Sequence, residues 1–174
     1  MKSLSIQLDH RSSRVVFPES INGYDTPIEG VSPAEDSRSP SAVLIFDTNT
    51  VALFPETSAP YYVVPAGEDH KNSATLLQIA EWALSVGAGR DTTFIAVGGG
   101  VVCDLTAFAA SIYMRGVPVI LITTTLLSMV DASLGGKTGI DFQGYKNILG
   151  SFYPAEEIRV YPEILATLPE REYL

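Results

Sequence analysis

Apolar residues in this chain fall into two kinds of run. One kind is short and unbroken: "AVLIF" at 42–46, "YYVV" at 61–64, "TTFIAVG" at 92–98 and "VPVILIT" at 117–123. Unbroken runs of this length predict strands buried on both faces, as in a parallel sheet. The other kind recurs at helical spacing. From Ser73 to Val86, one stripe holds Leu76, Ile79, Ala80, Ala83 and Val86, while Gln78, Glu81 and Ser85 face away. Gly87 follows as a helix stop. "VVCDLTAFAASIYM" is apolar nearly all round and predicts a buried helix. "TLLSMVDASL" predicts another. Residues 1–17 alternate weakly ("SIQL", "RVVF") and predict one or two strands. Residues 18–41, rich in Pro, Ser, Gly and acids, read as an irregular connection or a shortened helical region. Strands and helices alternate from 42 to about 134, which predicts an α/β fold: a mostly parallel sheet with helices on both faces.

At the carboxyl end, "TLPERE" offers Thr167 as an N-cap with Glu170 three residues on, a capping box. A helix that opens at the end of the chain predicts a truncation or a boundary with a second domain.

Composition narrows the function. The 174 residues suit one domain or one and a half, and 46% are hydrophobic. A net charge of −9 argues against a general nucleic-acid or anionic-membrane binder, both of which need a basic face. An anionic small substrate needs only a few local cations and stays open. One cysteine, Cys103, rules out an intrachain disulfide framework and suits a reducing compartment. The first residues lack the apolar core of a signal peptide. "VPVILI" is too short to span a bilayer. The expectation is a soluble cytoplasmic protein. Two widely separated histidines, His10 and His70, and no HxxxH or CxxC spacing weigh against a zinc site made wholly by this chain.

Candidate chemistry centres on Gly98–Gly100, between a predicted strand and a predicted helix. Glycines here let a pyrophosphate approach the backbone at a helix N-terminus. The spacing nearly fits G-x-G-x-x-G, with Cys103 where the third glycine belongs. The plain alternative is a tight turn with no ligand. The acid that usually follows at the next strand end is absent from "LITTTLL"; Asp47, in "IFDTN", is the strand-end acid available. Asp104 has two readings: a carboxylate complementing the helix dipole in the first turn, or a group acting on a bound ribose or amide. Arg115, Asp131, Lys137, Lys146 and Asn147 form a polar set in apolar surroundings, with Lys137 in the flexible-looking "SLGGKTG". Each could equally be a solvated loop charge. "GGKT" is not a triphosphate loop, because G-x-x-x-x-G-K-[ST] lacks its first glycine here.

Four blocks in order, "GGGVVCDLTAFAASIYMRGV", "TTLLSMVDASLGGKTGID", "KNILGSFYPA" and "EILATLPERE", resemble the 3-dehydroquinate synthase family of sugar phosphate cyclases. The resemblance runs from about Pro60 to Leu174, with "FDTN" and "PAGEDHK" matching upstream. It implies that residues 1–174 are a Rossmann-like NAD-binding domain, the N-terminal half of a two-domain enzyme of aromatic amino acid biosynthesis by the shikimate pathway. The activity implied is NAD-dependent conversion of a seven-carbon sugar phosphate to 3-dehydroquinate and phosphate. The implied partners are that substrate and a second copy, as a homodimer. The family's zinc or cobalt would be held by a glutamate and two histidines past the end of this chain.

By the same resemblance, Asp47 and Asn49 would contact the adenosine of NAD, with Gly67, Glu68 and Lys71 beside them. Gly99, Gly100 and Val101 would hold the pyrophosphate and Asp104 the nicotinamide side. Thr124, Thr125, Lys137, Lys146, Thr167 and Leu168 would complete the cofactor site. Asp131, Lys137 and Asn147 would face the substrate, and Arg115 would bind its phosphate across a dimer interface. Two departures stand out: Cys103 replaces the usual glycine, and "DFQGYKN" replaces the common "NHPLGKN", so that Tyr145 precedes Lys146. Rival readings are another cyclase making an inosose or valiolone, an iron-type polyol dehydrogenase, and a nucleotide-binding module without chemistry. The isolated chain is expected to bind NAD weakly and to turn nothing over.

Overall fold

The computed structural model describes residues 2–8, 11–18, 38–53 and 57–170. Chain order runs β1 (Lys2–Leu8), β2 (Arg11–Phe17), β3 (Ala42–Asp47), β4 (Tyr61–Val64), α1 (Ser73–Ser85), β5 (Thr93–Gly98), α2 (Gly100–Ile112), β6 (Val119–Thr123), β7 (Lys137–Phe142), β8 (Tyr145–Phe152) and β9 (Glu157–Val160). Seven strands form one sheet in the order β1-β2-β9-β6-β5-β3-β4. All neighbours are parallel except the β1–β2 hairpin at one edge. This is the Rossmann-like, mostly parallel architecture expected. Residues 19–37 of the predicted 18–41 connection lie outside the described residues.

The central strands are buried because mostly apolar side chains pack against both of their faces. Every residue of β5 is buried, and so is every residue of β6. Burying one Val, Leu, Ile or Phe contributes about 1.5–3 kcal/mol. On one face, Ile45, Phe94 and Leu121 pack with Ile79 and Ala83 of α1 and with Leu105 and Ala109 of α2. On the other, Phe46, Ile95 and Ile122 pack against Ile164 of a 3₁₀ helix, Pro162–Thr167. The two faces thus carry helices of unequal size.

Helix α1 starts where Asn72 accepts the Thr75 N–H at 3.0 Å and stops before Gly87, at φ +77°. Its buried side chains, Leu76, Ile79 and Ala83 with Thr75, follow the predicted stripe. Helix α2 is buried on most sides because it touches the sheet, α1 and the β7–β8 ribbon.

Three sequence expectations need correction. The stretch 125–134 is not a regular helix. Ser128–Ala132 forms a π turn, since the Ser133 hydroxyl donates to the Ser128 carbonyl at 2.5 Å and competes with α-helical pairing. A helical residue does follow, at Glu170, but Thr167 is not its N-cap. Thr167 closes the 3₁₀ turn before it, with its hydroxyl donating to the Ile164 carbonyl at 2.7 Å. "SLGGKTG" is not all loop: Gly135 and Gly136, both at positive φ, turn the chain directly into β7, so Lys137 begins a strand.

Candidate functional site

Chain connectivity reverses direction across the sheet between β3 and β5: β4 lies outside β3, while β6 and β9 lie beyond β5. The carboxyl ends of β3 and β5 therefore flank the crevice where open parallel sheets bind ligands. At the end of β3, Asp47 Oδ1 accepts the N–H groups of Asn49 and Thr50, both at 2.9 Å. The Thr50 hydroxyl donates to the Val97 carbonyl at 2.8 Å and ties the two strand ends together.

The three glycines after β5 have different causes. A Cβ on Gly98 would lie 2.6 Å from Val102 Cβ, so close helix–strand packing demands this glycine. A Cβ on Gly99 would lie 2.9 Å from the Thr125 methyl. A Cβ on Gly100 would meet only Ala132, at 3.5 Å, an ordinary contact. Packing thus accounts for two glycines and leaves the third open. Gly99 is extended and no side chain caps α2, whose first N–H groups are available to an anion. Cys103 fills the third fingerprint position and donates its thiol to the Gly98 carbonyl at 3.6 Å. Burial, with the charges of Asp104 and Asp47 adding to it, pushes this thiol far up, so it stays protonated. Thr124 is buried beside the turn and donates its N–H to Gly98, while the Thr125 and Ser128 hydroxyls bond at 2.9 Å.

Asp104 sits in the second turn of α2, because the helix begins at Gly100. Its reading as a first-turn dipole partner is therefore corrected. Its partner is Lys71, only 5% exposed, whose ammonium donates to Asp104 and, at 2.6 Å, to Asn147 Oδ1. Burial raises the Asp104 carboxyl above the usual range; the Lys71 contact opposes the rise, and Glu68 and Asp141 add to it. Lys71 reaches this corner from the segment after Gly67 (φ +115°) and the 3₁₀ turn Glu68–His70.

A cleft of about 510 Å3 opens beside this corner, between α2, the π turn and the β7–β8 ribbon. Asp104, Asp131, Lys137 and Asn147 line it. The ribbon turns at Gln143–Gly144, both at positive φ, the two-residue turn that matches strand twist. Glycine at 144 thus serves the turn, and Tyr145 is free to start β8.

The model of the 3-dehydroquinate synthase N-terminal family matches residues 61–174. The chain belongs to the 3-dehydroquinate synthase family. It is 43% identical over 183 residues to a 3-dehydroquinate synthase of Acidithiobacillus ferrooxidans, covering 99% of this chain and 49% of that protein. With the Geotalea uraniireducens 3-dehydroquinate synthase it shares 35% identity, over 100% of this chain and 50% of the relative. The chain spans about half the length of these curated relatives. Among solved structures, a 2-epi-5-epi-valiolone synthase from Streptomyces hygroscopicus subsp. jinggangensis, with NAD+ and Zn2+ bound, superposes with a TM-score of 0.78. It is 30% identical and covers 96% of this chain and 48% of its own. A 2-deoxy-scyllo-inosose synthase complexed with carbaglucose-6-phosphate, NAD+ and Co2+ gives 0.79 at 24% identity, covering 98% and 49%, and supports the fold.

Set against the family's functional positions, the structure gathers some residues and leaves others apart. Asp47, Asn49, Gly99, Gly100, Val101, Thr124 and Thr125 collect at the strand ends of the crevice. Lys71 reaches the Asp104 corner, while Lys146 meets Glu68 at 3.2 Å in solvent. Thr167 and Leu168 end the 3₁₀ helix on the second face. Arg115 is exposed three residues past the end of α2, whose last residue, Ile112, lies about 12 Å along the helix from Asp104 at 1.5 Å per residue. It stays apart from the cleft of its own chain. Asp141 was missed by sequence reasoning. The "QG" turn between apolar residues was the available signal, since it would have predicted a hairpin and placed Asp141 across from Lys146 and Asn147.

Proposed function

We propose that this chain is the cofactor-holding half of a 3-dehydroquinate synthase, which converts 3-deoxy-D-arabino-heptulosonate 7-phosphate (DAHP) to 3-dehydroquinate and phosphate in the cytoplasm. One observation carries the reading: the open glycine turn, the Lys71–Asp104–Asn147 corner and the Lys137–Asp131 cleft adjoin one another around α2 in a chain of this family. The residues fit NAD. Gly100 leaves room at an uncapped helix N-terminus, and Asp47 stands at the end of the adjacent strand.

When bound, NAD supplies reversible hydride removal, which makes a substrate hydroxyl a ketone and restores it later. The first N–H groups of α2, at Gly100 and Val101, would hold the pyrophosphate. The buried Lys71–Asp104 pair would fix the nicotinamide end, and Lys71 opposes the rise that burial imposes on the Asp104 carboxyl. Asn147 and Lys137 donate to substrate oxygens, and Asp131 accepts from a substrate hydroxyl.

The cleft's own charges, Asp104, Asp131 and Lys137, do not favour a phosphate. We infer that the missing cation is Arg115 of a second copy in a homodimer, presented from a loop where both Met114 and Arg115 are held at positive φ. Among the described residues no group of three His, Cys, Asp or Glu could hold a metal. The divalent zinc or cobalt of the whole enzyme is assigned to residues outside this chain.

The test uses the full-length protein with DAHP, NAD+ and Zn2+, following phosphate and NADH absorbance together. Phosphate release without lasting NADH supports the synthase. NADH accumulating from a polyol, with no phosphate from DAHP, overturns it. Phosphate from a different sugar phosphate alone assigns another cyclase. Phosphate release by the 174-residue chain alone contradicts its role as a half-site.

A further inference from the structure

The β7–β8 register pairs Ile140 with Leu149 and Phe142 with Tyr145. Between these pairs Asp141 alone faces the stretch Lys146, Asn147 and Ile148, so β8 bulges. Such bulges re-aim side chains. Here the bulge puts Asn147 in the left-handed region, at φ +53°. Asparagine tolerates that conformation better than most residues, but it still needs support. Asp141 gives it: its Oδ1 accepts the Asn147 N–H at 2.8 Å.

Asp141 also acts through its backbone. Its N–H donates to the Lys71 carbonyl at 2.8 Å, and it bridges Asn72 in parallel fashion. The Lys71 ammonium in turn donates to Asn147 Oδ1 at 2.6 Å. Three hydrogen bonds therefore close a ring: Asp141 carboxylate to Asn147 backbone, Asn147 side chain to Lys71 ammonium, Lys71 backbone to Asp141 backbone. Asn147 lines the cleft and Asp141 does not.

We propose that Asp141 is a positioning residue: it fixes the strained bulge so that the Asn147 amide stands between Lys71 and the substrate cleft. The inference rests on the synthase reading for its kinetic consequence but not for its geometry. Only the side-chain half of the ring depends on residue type, so the two halves separate by substitution. Asp141→Asn keeps an acceptor for the Asn147 N–H. Asp141→Ala removes it while leaving the backbone bond to Lys71.

The experiment is made on the full-length protein. Steady-state phosphate release from DAHP and the Kd for NAD+ are measured for wild type, Asp141→Asn and Asp141→Ala, with hydrogen exchange of the Asn147 amide. A displaced catalytic group can cost up to about a hundredfold in rate. We expect Asp141→Ala to lose at least about tenfold in kcat/KM for DAHP, with NAD+ affinity within about threefold, and Asp141→Asn to restore most of the rate. The Asn147 amide is expected to exchange slowly in wild type and Asp141→Asn and quickly in Asp141→Ala. Equal rates in all three proteins, or equal protection of the Asn147 amide in Asp141→Ala, overturn the proposal. A wild type that releases no phosphate from DAHP refutes the synthase reading instead, and the exchange result then decides alone whether Asp141 holds the bulge.

Discussion

The central sheet and the β7–β8 ribbon meet at the cleft, yet they are held by different forces. In the sheet, β5 and β6 are buried along their whole length and pack against α1 and α2. In the ribbon, Tyr145 is 70% exposed and Phe152 79%, and Ile148 is exposed as well. Polar links hold its tip instead: Asn147 to Lys71, Asp141 to Lys71, and Lys146 to Glu68. The sheet is a scaffold that burial makes rigid. The ribbon carries residues of the proposed substrate cleft and is tied down by a few directional bonds.

The largest effect that would break this contrast lies in the scaffold. Leu105→Ala empties a fully buried position in α2 and is expected to cost about 2–5 kcal/mol. Guanidinium unfolding should show one cooperative loss with an unchanged slope.

Lys71→Met comes next. It strips the partner from Asp104 and is expected to cost about 1–3 kcal/mol near neutral pH. The Asp104 carboxyl, already raised by burial, then rises further. A folded value above the unfolded one means the unfolded state releases its proton first. Stability from this group is thus complete below the unfolded value, about 3.9, and is lost as pH climbs through the folded value. The Lys71→Met penalty should shrink in acid and grow towards neutrality, as unfolding midpoints at several pH values would show.

Cys103 sharpens the same point on the alkaline side. Its folded thiol is raised by burial, so above the unfolded value of about 8.5 only the unfolded chain ionises. Stability should fall there by about 1.4 kcal/mol per pH unit on account of this residue alone. Cys103→Ala should remove that slope, measured between pH 8 and 10.

The smallest expected effect is in the ribbon. Phe152→Ser should change stability by no more than about 0.5 kcal/mol, because the side chain is mostly in water. A large cost would show that the ribbon's apolar face is buried in the molecule as it exists in solution.

This division also governs what the sequence disclosed. β3, β5 and β6 were legible because burial on both faces leaves an unbroken apolar run. Helix α1 was legible because its stripe and the Gly87 stop agree. The ribbon was not, since its strands hold Gly139 and Gly150 against each other and expose apolar residues along β8. Only Thr138–Ile140 of β7 are buried and β8 is largely exposed, so neither an apolar run nor alternation marks these strands. At the site, Gly98–Gly100 announced a tight turn, but only coordinates separate the glycines that packing requires from the one it leaves open. The Lys71–Asp104 pair, 33 residues apart, has no local signature at all.

The central claim is that the turn after β5 and the corner beside it hold NAD. It is tested most directly by titrating NAD+ into the chain and into its Gly100→Ala variant, with unfolding of both measured alongside. A Cβ at Gly100 meets only an ordinary contact, so the variant should stay folded. Its NAD+ affinity should fall by about tenfold or more, as expected where a side chain intrudes on a backbone–pyrophosphate approach. Equal affinity in two equally stable proteins would contradict the claim and leave the glycine turn as packing alone.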